Sequence, residues 1–179
     1  KDQIFPSDGG FAGFVRAKRT KPWIAVVDGA ALAGGMELAL ACDLIVCSPN
    51  ARFALPEVSR GLSALAGGVQ RLPGRIPASV AMDMILSGEP IDGTRAWQLG
   101  LASRLVPSGE LMDAALAVAR AVAGNAPGAV RDSLRMARLS LSNGEEAAWV
   151  STPLAEQDRM SSPEATEGVR AFIDKRAPS

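Results

Sequence analysis

Two acidic side chains stand where the sequence could do chemistry. Glu37 follows Gly34-Gly35-Met36 and belongs to a run rich in Leu, Ala and Met that predicts a helix from Met36 to about Ala41. Paired glycines at a helix start let a ligand reach the backbone, because no side chain screens the first amides. Those amides have no partner inside the helix, and with the helix dipole they form a site for negative charge. A carbonyl that becomes an enolate there could be held by the amide of Gly34 or Gly35. Loss of one such donor costs about 10²–10³-fold in rate. Glu37 lies in the first turn, a few ångströms from these amides at ~1.5 Å of rise per residue, so it could move a proton beside that charge. It could also simply complement the dipole, worth about 0.3–1 kcal/mol, and spacing alone favours this plainer role.

Glu57 follows Pro56 and a short extended piece that carries apolar Phe53 and Leu55. An acid in an apolar setting has its pKa raised. Two carboxylates in opposed protonation states can serve as acid and base on one water. An ordinary solvated loop acid is again the simpler reading of the spacing.

The absences sharpen this. The chain of 179 residues contains no His and no Tyr. A Ser-His-Asp triad, a Cys-His pair, a His-ligated metal and a Tyr general acid are excluded within it. Acid/base work near neutrality falls to carboxylates or lysines, with no metal expected. Cys42 and Cys47 match neither a CxxC pair nor zinc spacing, and read as buried free thiols in a reducing cytoplasm. Neither Gly29–Gly34 nor Gly61–Gly68 fits a dinucleotide fingerprint or a P-loop. Lys plus Arg equals Asp plus Glu, 19 each, so the basic excess of a nucleic-acid binder is missing. No run approaches the roughly 20 apolar residues of a membrane span. The first eight residues lack the apolar segment of a signal peptide.

The elements that must position the two acids are legible in outline. Lys1–Thr20 is poorly patterned. Strands are expected at Trp23–Val27, Leu44–Cys47, Ala51–Leu55 and Ser103–Val106. Ala30–Gly35 reads as a small-residue turn, Gly61–Gly68 as a loop, and Gly67–Arg71 as a short helix. After Pro77 helical spacing dominates: Ala78–Leu86, Gly93–Leu99, Leu111–Ala123, Pro127–Leu139 and Glu145–Met160. Ser162-Pro163-Glu164 then caps a last helix running to about Lys175. The fold class is therefore α/β, with a core over 1–106 and a helical region over 107–179. Two strands joined by a short helix need neighbours, which suggests an incomplete sheet.

Ordered blocks give this pattern a family likeness. The run from Lys21 to Asp43 is similar to the central motif of the crotonase (enoyl-CoA hydratase/isomerase) superfamily. So are Ala51–Val58, Arg60-Gly61-Leu62, Gly67–Pro73, Ser87–Ile91, Leu99-Gly100-Leu101, Glu167-Gly168 and Ala171–Arg176. The resemblance implies a partial crotonase-like ββα spiral core followed by a C-terminal helical trimerisation region. It implies that Gly34 is an oxyanion-hole residue holding a thioester carbonyl. It implies that Glu37 and Glu57 are the two catalytic glutamates of a hydratase. Ala33, Gly35, Leu65 and Gly67 become substrate-binding positions. Phe172 and Lys175 match positions that close over coenzyme A in a neighbouring subunit, and Lys is a reasonable phosphate partner.

The likeness has two departures. Family chains carry a longer N-terminal part with further strands and the first oxyanion amide, so this chain resembles a form lacking its N-terminal third. Where the family loop commonly reads Pro-Gly-Ala-Gly-Gly, this chain has Ala64-Leu65-Ala66-Gly67-Gly68. Leu65 in place of a glycine bears on the substrate class.

The resemblance implies a cytoplasmic enoyl-CoA hydratase of fatty-acid or related acyl-CoA metabolism. It would bind an acyl-CoA thioester, need no separate cofactor, and form a homotrimer or hexamer, with no nucleic-acid or membrane partner. The alternatives are a carnitinyl-CoA dehydratase, an enoyl-CoA isomerase, or a shortened acyl-CoA-binding subunit without turnover.

Overall fold

The computed structural model describes residues 9–177. The opening octapeptide, read above for a leader segment, lies outside the described residues. The chain divides into two compact units, residues 1–119 and 120–179.

The first unit is built on two small sheets. Strands β1 (Ile24–Val27) and β3 (Leu44–Cys47) pair in parallel, and β6 (Arg104–Leu105) adds to β3, also in parallel. Strands β2 (Ala30–Leu32) and β4 (Arg52–Ala54) pair in parallel, and β5 (Ile91–Asp92) joins β4 antiparallel. Parallel neighbours need a crossover. Helix α1 (Gly34–Ala41) provides it between β1 and β3. Helices α2 (Gly68–Arg71) and α3 (Ala78–Ser87) lie between β4 and β5 along the chain, and α4 (Gly93–Gln98) lies between β5 and β6. Phe53, Met36, Leu40, Ile45, Leu55, Leu72 and Met84 are fully buried at the centre. The start of α5 (Leu111–Ala123) packs Leu111 and Ala115 on Val46.

The structure corrects one expected element. Ala30–Leu32 is a strand, not a turn, because its backbone pairs with β4, with Ala31 opposite Phe53. Its shortness hid it: two alanines and a leucine carry too little periodicity to announce a strand. The helix accordingly begins at Gly34, two residues before its expected start.

The far end of α1 is tied down from two directions. Arg75 donates to the Leu40 carbonyl at 3.2 Å, to the Asp43 carbonyl at 3.3 Å and to the Cys42 carbonyl. Arg19 pairs with Asp43 at 2.5 Å and donates to the Ala41 carbonyl. Cations on the last carbonyls of a helix satisfy orphan acceptors and complement the dipole. With its C-terminus anchored, α1 presents its N-terminus rigidly. Cys42 and Cys47 are both buried and free. Burial pushes the Cys47 thiol up to about 11, so it stays a neutral packing residue.

The second unit holds α6 (Pro127–Asn143), α7 (Glu145–Met160) and α8 (Pro163–Ile173). Arg159 pairs with Asp132 at 3.0 Å and Glu164 at 2.8 Å, and Glu164 accepts the Gly128 N–H at 3.0 Å, so one cluster joins all three helices. The Ser162 hydroxyl caps α8 by accepting the Ala165 N–H at 3.2 Å. Among the described residues no helix is long and apolar enough to cross a membrane.

Candidate active site

The site forms where β2 turns into α1. Ala33 makes that turn at φ 51° and ψ −124°, a conformation that costs a non-glycine residue about 1–3 kcal/mol. It is held there by its N–H, which donates to the Ala54 carbonyl at 3.0 Å. The first bond inside the helix runs from the Glu37 N–H to the Ala33 carbonyl at 3.0 Å. The N–H groups of Gly34 and Gly35 therefore lie ahead of the helical ladder, as at any helix start. Gly35 has open space around it, whereas Gly34 does not. The Phe11 ring rests against the Gly34 Cα, so close that a Cβ there would meet it at 2.6 Å.

Glu37 faces inward and is 4% exposed. Its Oε1 accepts the Gly68 N–H at 3.0 Å. Gly68 cannot carry a side chain, because a Cβ would lie 2.7 Å from that of Ala64 and 2.9 Å from Leu55 Cδ2. Gly67, at φ 120°, bends the chain so that this amide aims at the carboxylate. Glu57 stands on the 3₁₀ turn Pro56–Arg60 that leaves β4. Its Oε2 is buried and has no hydrogen-bond partner among the described residues.

The two acids feel one another. Burial raises the Glu37 carboxyl above the usual carboxylate range, and the charge of Glu57 adds to this. The N–H groups of Gly68 and Ala66 and the charge of Arg71 work in the opposite direction without cancelling it. A stability prediction follows from the sign. An ionised Glu37 is less comfortable in the fold than in the unfolded chain. The penalty is absent where both states are protonated and grows as pH rises through the folded-state value. Glu37→Gln should therefore melt above the wild type at about pH 7, with the gap closing near pH 4, where an unfolded Glu is itself half protonated. Thermal melts of both proteins across that range check this, and a constant gap would contradict it.

The residues singled out from sequence fall into two groups. Ala33, Gly34, Gly35, Glu37, Glu57, Leu65 and Gly67 all lie in the first unit, and direct contacts or charge link Glu37 to Gly68 and Glu57. Leu65 is 70% exposed. Phe172 and Lys175 lie in the second unit, both exposed, with Lys175 just past the end of α8. Sequence reasoning gave no role to Phe11 or Arg71. Phe11 sits in the unpatterned opening segment, and no local spacing signals a ring that packs 23 positions down the chain.

The fold has close counterparts among solved structures. The enoyl-CoA hydratase of Mycobacterium tuberculosis superimposes with a TM-score of 0.92 at 40% identity, over 98% of this chain and 69% of that one. This is the layered fold of the crotonases, with its C-terminal helical region. The chain belongs to the enoyl-CoA hydratase/isomerase family, whose model matches residues 15–179. A carnitinyl-CoA dehydratase of Proteus mirabilis is 39% identical over 175 residues, covering 95% of this chain and 67% of the relative. A mevalonyl-coenzyme A hydratase of Aspergillus fumigatus is 38% identical over 175 residues, covering 94% of this chain and 63% of the relative. The chain thus spans about two-thirds of the length of these relatives, which are named for adding or removing water on coenzyme A thioesters.

Proposed function

We propose that the chain carries the acid/base centre of a hydro-lyase that adds water to a trans-2-enoyl-CoA, giving a 3-hydroxyacyl-CoA. The observation that carries this reading is the contrast between the two acids. Glu37 is buried with one oxygen fixed by the Gly68 N–H, while Glu57 holds a buried oxygen with no protein partner. Such an oxygen is suited to accept a hydrogen bond from a water bound between the pair.

In this reading the two glutamates orient the water. An O–H bond breaks as the proton passes to a carboxylate, and the oxygen bonds to C3. The electron pair of the double bond moves toward the thioester carbonyl, whose developing charge the Gly34 N–H stabilises. A carboxyl proton then goes to C2 and restores the carbonyl. Ala33 and Gly35 shape the approach to that amide. Gly67 and the exposed apolar Leu65 face the acyl group, and Phe172 and Lys175 serve the coenzyme A portion across a subunit boundary. No metal or separate redox cofactor enters these steps. Apolar side chains left exposed in the second unit, including Trp149, Leu154, Phe172 and Ile173, support assembly as a homotrimer or hexamer, in a cytoplasmic role in acyl-CoA metabolism.

A second reading is favoured by one observation: the carnitinyl-CoA dehydratase named above is 39% identical to this chain over the 175 residues they share in alignment. Dehydration of a carnitinyl thioester is the same chemistry run backwards with another acyl group. The test is the conjugated enoyl-thioester absorbance of crotonyl-CoA mixed with purified protein. Its decay, with 3-hydroxybutyryl-CoA formed, is the expected result. Silence with crotonyl-CoA but formation of an enoyl absorbance from carnitinyl-CoA moves the assignment to the second reading. Thioester binding without turnover of either compound replaces both with a non-catalytic binding subunit.

A further inference from the structure

Among the described residues two buried side-chain polar atoms lack any hydrogen-bond partner: Glu57 Oε2 and Arg71 Nη1. Both belong to residues whose charge acts on Glu37. The proposed hydration uses the first and leaves the second unexplained. An unsatisfied donor on a buried guanidinium is costly, and its presence calls for a reason.

The surroundings of Arg71 supply one. Its side chain ends α2 and folds back toward Gly67. A Cβ at Gly67 would lie 2.0 Å from Nη1 and 3.0 Å from Cζ, so the guanidinium occupies the space that the glycine leaves open. The next residue, Gly68, donates its N–H to Glu37. The other branch, Nη2, donates to the carbonyl of buried Val15. Val15 lies in the segment whose Phe11 ring rests on Gly34. One guanidinium thus bridges the two pieces of chain that flank the acid and the helix start.

The charges around it are unequal. Burial is the main influence against its charge, and Arg19, Arg75 and Arg16 repel it as well. Glu37 is the anion that favours it. Seen from Glu37, Arg71 is the cation, Glu57 the like charge, and the Gly68 and Ala66 amides are the donors. A cation kept among three others, with a donor unpaired, is placed for its effect on the turn and on the acid.

We propose that Arg71 is a positioning residue for Glu37, clamping the Gly67-Gly68 turn to the Val15 carbonyl so that the Gly68 N–H stays on the carboxylate. It also supplies positive charge to that carboxylate. This rests on the reading of Glu37 as an acid/base residue, and its test does not depend on turnover.

The experiment uses the full chain with ¹³C-labelled Glu side chains. The Glu37 carboxyl signal is assigned by its loss in Glu37→Gln and titrated in wild type, Arg71→Met and Arg71→Lys. In Arg71→Met the midpoint moves to higher pH, because a cation and the hold on an N–H donor are both removed. Arg71→Lys keeps the charge without the planar fork, so its midpoint returns toward wild type while Gly68 amide hydrogen exchange is faster. An unchanged midpoint in folded Arg71→Met overturns the proposal. Should that variant not fold, Gly68 exchange in Arg71→Lys decides, and wild-type protection there overturns the clamp. A wild type that fails to hydrate crotonyl-CoA while the Glu37 midpoint still shifts in Arg71→Met removes the hydratase reading and leaves this one standing.

Discussion

Glu57→Gln is expected to lower the rate of crotonyl-CoA hydration by about 10²–10⁴-fold, and Glu37→Gln by a similar factor, the usual range for a general acid or base. Gln preserves the volume and one acceptor oxygen, so the Gly68 N–H keeps its partner in the Glu37 variant. What each substitution removes is a proton that can be passed on. If the two carboxylates work on one water, their losses are not additive: the double variant should be about as slow as the slower single one. Two independent contributions would instead multiply. Steady-state kinetics on the four proteins separates these outcomes. A Glu57→Gln protein with wild-type kcat/KM would remove Glu57 from the chemistry and leave its unpaired oxygen without a role.

The sequence made some of this site readable and hid the rest for identifiable reasons. The strand at Ile24–Val27, the helix ending at Ala41 and the strand at Leu44–Cys47 carry clear apolar runs with Gly or Pro punctuation nearby, and they fold as expected. The short strands Ala30–Leu32 and Ile91–Asp92 carry no such signal, because pairing with distant partners rather than local preference makes them strands. Glu37 and Glu57 could be nominated from their residue type and from the glycines before Glu37. Their environment could not. The donor to Glu37 comes from Gly68, 31 positions away, and only the folded chain shows why that position tolerates no Cβ. Spacing also favoured a dipole-complementing role for Glu37. A surface acid would suffice for that, whereas Glu37 is buried with its own donor.

Gly93→Ala is expected to be among the most damaging single-methyl additions to the first unit, although Gly93 has no part in the chemistry. In sequence it is merely the first residue of a helix, where Ala would ordinarily be preferred to Gly by up to about 1 kcal/mol. In the fold, a Cβ there would stand 1.8 Å from the Ser48 carbonyl oxygen and 2.9 Å from its carbon. Neither side can give way cheaply. The Ser48 carbonyl accepts the Ala51 N–H at 3.1 Å, and its hydroxyl is fixed by Asp28 at 2.5 Å and by the Asn50 N–H at 3.1 Å. On the helix side, Asp92 caps α4 by accepting the Arg95 N–H at 2.7 Å, and the Gly93 carbonyl faces the Cys47 thiol at 3.6 Å. Overpacking of a rigid site costs about 1–3 kcal/mol and occasionally more. With backbone on both sides the upper end applies, about 3 kcal/mol, which corresponds to a melting temperature lower by roughly 10 °C. Gly35→Ala is the matched control: it adds the same methyl at the start of α1, where nothing lies within 4 Å. Its melting temperature should equal or slightly exceed that of the wild type, as the helix preference for Ala predicts. Thermal unfolding of the three proteins measures the contrast. Equal melting temperatures for the two Ala variants would mean that the contact between α4 and the end of β3 is not as tight as the structure has it.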